Sequence, residues 1–395
     1  MFLMDEQKKT IMFVVPTLVG GGAEKTVANL SRYLTRYYNV IIVVLDDTKQ
    51  KYSYGGRLIV LKTVIRKGLF GKFFSRIARA RELKKIKTDN NISCSISFLL
   101  QADLLNVLSK GKERCIVSIR NNDAVLFKNG PYGLIVRYCL KHCDLIVSIS
   151  EQVRKNLIAT FKIAPKKITT IYNPCLTIEF KKGSSTVNPA YFSNFFTFIN
   201  VARLTDQKGQ WHLIRSFKVV AENYPEAKLI ILGKGELEGY LKQLISDLGL
   251  EKNVTMLGFV DNPYDYLQKS DVFVFSSLFE GLGNSILEAM SYGLPIISTD
   301  CDYGPRELLS SSDNIQRARK TYVKAKYGVL CPAFDDIKYS ASDQFTDQEL
   351  EYAKAMMLLI ENRKIFERYC ALSKERAKSF DINIIANKWR EVIDD

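Results

Sequence analysis

Short apolar runs rich in β-branched residues recur along the chain, each followed by a longer stretch whose apolar residues repeat at helical spacing. The runs fall at 10–16, 40–45, 58–61, 92–98, 115–119, 145–149 and 168–171, then at 195–201, 228–232, 254–257, 272–276, 295–299 and 328–330. Most are continuously apolar rather than alternating, as parallel strands covered on both faces are. Strand–helix alternation of this kind predicts α/β doubly wound sheets. The stretch 181–194 (KKGSSTVNPAYFSN) is polar, contains Gly and Pro, and reads as a linker. Two Rossmann-like domains are expected, 1–187 and 188–378, with a last helix over 381–393. The segment 379–395 is expected to pack back toward the first domain. Ligands of open α/β sheets bind beyond the carboxyl ends of the strands. Two doubly wound domains facing across a cleft would put the site in that cleft.

Composition narrows the class. The 395 residues are 47% apolar and 25% charged, which excludes wholesale disorder and a disulfide miniprotein. No apolar run approaches the roughly 20 residues that span a bilayer; the run at 11–20 is interrupted by Pro16. No signal peptide is read at the N-terminus. The eight cysteines are scattered without a CxxC, so a reduced, cytoplasmic compartment is expected. With two histidines and no zinc spacing, no protein-held metal is expected. Charge is unevenly spread. Residues 1–190 carry a net +19 and residues 191–395 a net −4, within a total of +15. The first half therefore suits a polyanion, either nucleic acid or an anionic membrane. No zinc finger and no aromatic RRM signature is present, so nucleic acid is not expected as a partner.

Three turns carry candidate chemistry. The densest lies at 279–309, FEGLGNSILEAMSYGLPIISTDCDYGPRELL. A strand ends, a Gly-rich turn follows, and a helix is predicted from near Asn284. Glu280 sits in the turn and Glu288 one helical turn inside. Gly281 and Gly283 let main-chain N–H groups approach a ligand, and a helix N-terminus suits phosphate. Leu282 and Ser285 complete this segment. Asn284 reads either as a ligand contact or as a helix cap. Taken singly, Glu280 is a helix-terminal acid and Glu288 a solvated residue. The second turn, Val201-Ala202-Arg203-Leu204-Thr205-Asp206-Gln207-Lys208-Gly209, also joins a strand to a helix. Arg203 and Lys208 are a fork of donors and a point charge, a pair suited to diphosphate or simply two solvated cations. The third is Gly20-Gly21-Gly22-Ala23-Glu24. GxGxxG is absent and no acid is placed for a ribose, so NAD binding is a poor reading.

Glu280 and Glu288 resemble the E-x7-E pattern of retaining glycosyltransferases of family 4, which have the GT-B fold. Gly293-Leu294-Pro295-Ile296-Ile297-Ser298-Thr299-Asp300 and Gly304-Pro305-Arg306-Glu307 are similar to that family too. The branch is the one building lipid-linked oligosaccharides and bacterial surface polysaccharides, such as capsule or O-antigen. The resemblance covers essentially the whole chain and is stronger in the second half. It implies that Arg203 and Lys208 grip the nucleotide diphosphate, Glu280 the donor sugar, and Glu288 the ribose. Glu280, Arg203 and Lys208 would then be catalytic. Gly21 and Gly22 would lie over the diphosphate from the opposite domain. Gly233 and Val260, in the turns Gly233-Lys234-Gly235 and Gly258-Phe259-Val260, would surround the nucleobase, and Glu307 would help position the donor. Family members often carry a His in the loop where this chain reads Ser118-Ile119-Arg120-Asn121-Asn122. Arg120 and Asn121 become acceptor-side candidates, and no histidine base is expected. His142 and His212 read as structural.

The segment 62–87 holds ten Lys or Arg and one acid, and Phe70, Phe73, Phe74 and Ile77 share a helical face. A basic amphipathic helix with aromatics reads as a membrane-surface element. Arg66, Lys67, Phe70, Lys72, Phe73, Phe74, Arg76 and Arg79 would meet the bilayer. The other reading packs the aromatics on the first sheet. The expected protein is a glycosyltransferase moving a hexose or N-acetylhexosamine, UDP-linked, to a lipid-linked saccharide. It would be metal-independent, hold no cofactor of its own, and be peripheral on the inner face of the cytoplasmic membrane. The alternatives are a nucleotide-sugar epimerase or glycogen-type transferase of the same fold, and a basic membrane- or nucleic-acid-binding protein without transferase activity. The stretch 311–327 has no assigned role.

Overall fold

The computed structural model describes residues 8–46, 52–63, 68–120, 129–175, 192, 195–310 and 317–395, apart from the side chains of 69, 70 and 72. The chain divides into two compact units, Met1–Pro174 with Ile382–Asp395, and Cys175–Asp381. The linker expected at 181–194 lies outside the described residues except for Phe192.

Seven parallel strands form the first unit's sheet: β1 (Thr10–Val15), β2 (Asn39–Val44), β3 (Arg57–Val60), β4 (Ile92–Phe98), β5 (Arg114–Ile119), β6 (Leu145–Ser148) and β7 (Ile168–Thr170), in the order β3-β2-β1-β4-β5-β6-β7. The central strand β1 is buried from Ile11 to Val15. Such a strand must be covered on both faces, and it is. On one face Phe13 and Phe98 pack with Val27 and Leu30 of α1 (Gly22–Leu34). On the other, Met12 and Val14 meet Leu83 of α2 (Leu69–Asp89) and Leu105 of α3 (Leu100–Leu108). The last helix, Ile382–Asp394, belongs to this unit: Ile385 and Trp389 enter the Phe13 cluster, with the Trp389 ring 5.8 Å from Phe98. Its end is held by Tyr38, whose hydroxyl donates to Asp394 at 2.7 Å, and by the Lys9–Asp394 ion pair at 3.1 Å.

The second unit repeats the plan with β8 (Thr197–Val201), β9 (Lys228–Leu232), β10 (Val254–Gly258), β11 (Val272–Phe275), β12 (Ile296–Thr299), β13 (Val323–Lys324) and β14 (Val329–Cys331). Their order is β10-β9-β8-β11-β12-β14-β13, parallel except for the β13–β14 pair. All thirteen predicted strands are present, with ends shifted by at most two residues. The additional strand, β13, is a two-residue edge strand inside the unassigned stretch 311–327. Trp211, Phe217 and Tyr352 fill the core. A buried charge cluster is embedded beside it: Glu349 accepts from His212 Nδ1 at 2.8 Å and from Arg215 Nε at 2.9 Å. His212 is therefore a structural residue, tying the helix Gln210–Asn223 to the start of Asp347–Glu361.

Candidate functional site

The site in the second unit is built from two strand-to-helix turns stitched main chain to side chain. After β8 the chain runs through Arg203 into a 3-10 turn, Asp206–Lys208, and then into the helix Gln210–Asn223. After β11 it runs through Glu280 into the helix Asn284–Ser291. Leu278 N–H donates to Gln207 O at 2.8 Å, and Gln207 Nε2 to Phe279 O at 2.9 Å. Ser276 Oγ donates to Lys208 O at 2.8 Å. The parallel pairing of β8 with β11 brings the two turns to the same edge of the sheet, because parallel strands end together.

Lys208 and Glu280 meet as an ion pair, and Ser277 Oγ donates to the same Glu280 oxygen at 3.0 Å. Both charged side chains are largely covered, at 14% and 11% exposed. The lysine ammonium also lies 5.7 Å from the Phe275 ring centre. Arg203 is exposed, and no ion-pair partner is found for it among the described residues. The helix Asn284–Ser291 is capped by Gly283, at φ +94°, without a side-chain capping bond. Asn284 is thus the first helical residue and not the cap, which leaves the N-terminal N–H groups to the main chain and any ligand. Gly281, Leu282 and Gly283 are buried, so Leu282 offers its main chain only. Asn284, Ser285 and Glu288 are half-buried, on the first two turns of the helix.

Gly233 lies beside this edge with φ +149°, and a Cβ there would overlap the Ala202 carbonyl. No other residue type lets the β9 turn lie against the β8 turn. Gly233 N–H donates to Gly258 O at 2.8 Å, which draws in the turn bearing half-buried Val260. The third wall was not foreseen from local pattern. Asp300, fully buried after β12, pairs with Arg306 at 2.7 Å and accepts from Ala318 N–H at 2.8 Å. Asp302 O accepts from Glu280 N–H at 3.3 Å, and the Asp302 carboxylate pairs with Arg317. The sequence signal for this wall was present in the Thr299-Asp300 and Gly304-Pro305-Arg306 strings, but not in any spacing that names a partner. Glu307 lies in the short helix Pro305–Leu309, and its carbonyl accepts from Arg376 Nη2 at 2.8 Å.

Gly21 and Gly22 belong to the other unit. Gly21 is the N-cap of α1 and Gly22 its first residue, and a Cβ on Gly21 would strike the Glu24 carboxylate, which folds back against the turn. Arg120 is buried at the end of β5, and Asn121 lies outside the described residues. His142 ends the helix Pro131–His142.

The basic segment needs one correction. Arg79 does not face outward: it is 6% exposed, and its guanidinium donates to Thr63 O at 2.8 Å and to Asp46 at 2.9 Å. Lys87 is also internal, pairing with Glu113 at 2.7 Å. Both lie on the stripe Ser75, Arg79, Leu83, Lys87, which four-residue spacing turns toward the sheet. Phe73 and Phe74 are 58% and 61% exposed, and Arg76 is exposed. Phe73 and Phe74 do not pack on the first sheet. Arg66 and Lys67 lie outside the described residues, as do the side chains of Phe70 and Lys72. Among the described residues, no helix is long and apolar enough to cross a membrane, and no His, Cys, Asp and Glu cluster suits a metal.

Two Rossmann-like units, the second with cations and carboxylates gathered at one helix mouth, are the parts of a GT-B glycosyltransferase. The sequence comparisons agree. "Glycosyltransferase Family 4" matches residues 20–175 and "Glycosyl transferases group 1" matches residues 188–318. An uncharacterized glycosyltransferase of Methanocaldococcus jannaschii is 38% identical over 319 residues, covering 78% of this chain and 77% of that protein. An N-acetylgalactosamine-N,N'-diacetylbacillosaminyl-diphospho-undecaprenol 4-alpha-N-acetylgalactosaminyltransferase of Campylobacter jejuni is 27% identical, covering 92% and 94%. The crystal structure of HepE from Anabaena in complex with UDP superposes with a TM-score of 0.74 at 17% identity, covering 98% and 99%. The chain belongs to glycosyltransferase family 4.

Proposed function

We propose that this protein is a retaining, metal-independent transferase that moves a hexose or N-acetylhexosamine from a UDP-linked donor to a lipid-linked saccharide. The observation that carries the reading is the Lys208–Glu280 pair held at the mouth of the helix Asn284–Ser291, with Arg203 exposed on the neighbouring turn. In this reading Arg203, Lys208 and the N–H groups of Gly283, Asn284 and Ser285 take the diphosphate. Glu288 takes the ribose, Glu280 the donor-sugar hydroxyls, and the Gly233 and Val260 turns the base. As the bond from C1 to the diphosphate oxygen breaks, negative charge grows on the leaving group, so fixed cations stabilise the transition state more than the bound donor. The acceptor oxygen bonds to C1 on the face the diphosphate leaves. Its proton passes to the departing phosphate oxygen, which accounts for retention without a histidine base.

Support for the donor is the UDP complex of HepE. Support for the acceptor is the Campylobacter relatives, two of which are named for undecaprenol diphosphate-linked saccharides. Exposed Phe73 and Phe74, with Arg76, Arg81, Lys84 and Lys85 exposed on the same helix, favour attachment to the inner face of an anionic membrane. Each such cation contributes about 1 kcal/mol near the surface before screening.

The test is calorimetric binding against a panel of nucleotide diphosphate sugars in EDTA, with Glu288→Ala alongside. Binding of one base, weakened about tenfold or more by the substitution, is expected. No binding by any member, with circular dichroism unchanged, would refute the donor site. Anomeric NMR of the product then checks retention.

A further inference from the structure

Within the first unit lies a cavity of about 720 Å³, a size suited to a small ligand. It is lined by residues that follow the carboxyl ends of β1, β2, β4 and β5, among them Pro16, Leu45, Leu99 and Arg120. Arg120 is its unusual member. The side chain is 8% exposed; Nη1 donates to Ser118 Oγ at 3.1 Å, and the guanidinium lies 5.2 Å from the Phe98 ring centre. Nε and Nη2 have no hydrogen-bond partner, and no carboxylate pairs with the group among the described residues. A charged group taken out of water without a counter-ion is strongly unfavourable. Nε and Nη2 form one edge of the guanidinium fork, the edge that grips two oxygens of an anion at once.

Three further features share the cavity. Arg76, exposed on α2, gives a second cation at its rim. Asp103 lies in its wall with Oδ1 unpartnered, and burial pushes its carboxyl up to about 8. It is therefore largely protonated at neutral pH and adds a donor, not a repelling charge. Leu99 turns the chain at φ +75°, a strained conformation for a residue with a side chain. Arg79 also reaches the cavity, but its guanidinium is already paired with Asp46. The rest of the lining is largely apolar, with Leu100, Leu104, Ile135 and Val136 beside the polar Gln101, Ser118 and Tyr132.

We propose that this cavity binds a phosphoryl group carried on an apolar chain, with Arg120 as the buried counter-ion of the phosphoryl oxygens and Arg76 as the outer one. Two cations on one anion favour a phosphate or diphosphate over a carboxylate, and the apolar wall favours a lipid tail over a free ion. The helix that supplies Arg76 also exposes Phe73 and Phe74, so a lipid ligand and a bilayer-facing aromatic pair share one element. The role as an acceptor site rests on the transferase reading; the binding itself can be measured without it.

The experiment is calorimetric titration with farnesyl diphosphate below its aggregation limit, against inorganic pyrophosphate and farnesol, for the wild type, Arg120→Gln and Arg120→Met. Farnesyl diphosphate is expected to bind the wild type more tightly than either fragment, and each variant about tenfold or more weakly. The ligand-free Arg120→Met protein is expected to unfold at a higher temperature, because an uncompensated buried charge has been removed. Unchanged affinity in the variants overturns the proposal. So does pyrophosphate or farnesol matching farnesyl diphosphate, or a lowered unfolding temperature in Arg120→Met, which would mark Arg120 as a structural residue. Failure of all nucleotide sugars to bind, with farnesyl diphosphate binding intact, would count against the transferase reading and leave this site standing.

Discussion

Lys208 can be tested in a way that separates support of the fold from service to the ligand. Lys208→Met keeps most of the stem and deletes the ammonium. Among the described residues Glu280 then retains only the Ser277 hydroxyl at 3.0 Å, with its carboxylate 11% exposed. A largely buried charge left half-satisfied costs about 1–3 kcal/mol. In a domain of this size, that lowers the unfolding temperature by about 2–12 °C. Glu280→Gln in the same molecule removes the stranded charge and should bring stability back to within about 1 kcal/mol of wild type. Affinity for UDP follows a different rule. Losing a charge-assisted contact to the diphosphate costs about 1.5–3 kcal/mol, roughly 10–150-fold in Kd. Restoring stability does not restore it, because Glu280 is assigned to the donor sugar, which UDP lacks. Urea unfolding and calorimetry on the two single variants and the double supply all the terms. A double variant that recovers both stability and UDP affinity would show that Lys208 serves only to neutralise Glu280, and the reasoning would fail.

Glu349→Gln should destabilise the second unit by about 3–5 kcal/mol, since it strands Arg215 in the interior. Burial pushes the Glu349 carboxyl up, but hydrogen bonds from His212 and Arg215 prevail and hold it below its ordinary value of 4.5. Its stabilisation is therefore full above pH 4.5 and fades as pH falls through the lower folded value, so the variant should show a shallower acid loss in urea midpoints. Phe73→Ser with Phe74→Ser should weaken sedimentation with anionic vesicles about tenfold or more while leaving the unfolding temperature unchanged, because both rings are exposed. Equal vesicle binding would remove that helix from the membrane reading.

The strands were legible because parallel strands under helices must be apolar on both faces, and runs such as 11–15 and 272–275 carry that requirement in their own residues. β13 was not, because two residues at an edge need only one neighbour and leave no run. The positions of Glu280 and Lys208 beside helix starts were readable; their pairing was not, since 72 residues separate them. The same limit explains Arg79 and Lys87. Their partners, Asp46 and Glu113, come from other strand ends, so a count of charges along the helix treats two internal cations as surface. Arg120 shows the converse: it stood out in sequence as part of a segment, 118–122, that lacks the family's histidine, and its burial without a counter-ion became visible only in three dimensions.

The Ile382–Asp394 helix also sets an order of events during synthesis. The core around Phe13 and Phe98 lacks Trp389 and Ile385 until residues 382–395 have been made, about 220 residues after the first unit's other strands leave the ribosome. At roughly 5–20 residues per second, that is a delay of about 10–45 s. Throughout it, one face of a seven-stranded sheet keeps an apolar groove open to solvent. The second unit, contiguous in sequence, is free to finish first, so the nascent chain passes through a state in which the later half is folded and the earlier half awaits its last helix. That interval is when this protein is most exposed to chaperones and to aggregation, and mutations in the last helix should reduce yield in cells more than activity per folded molecule.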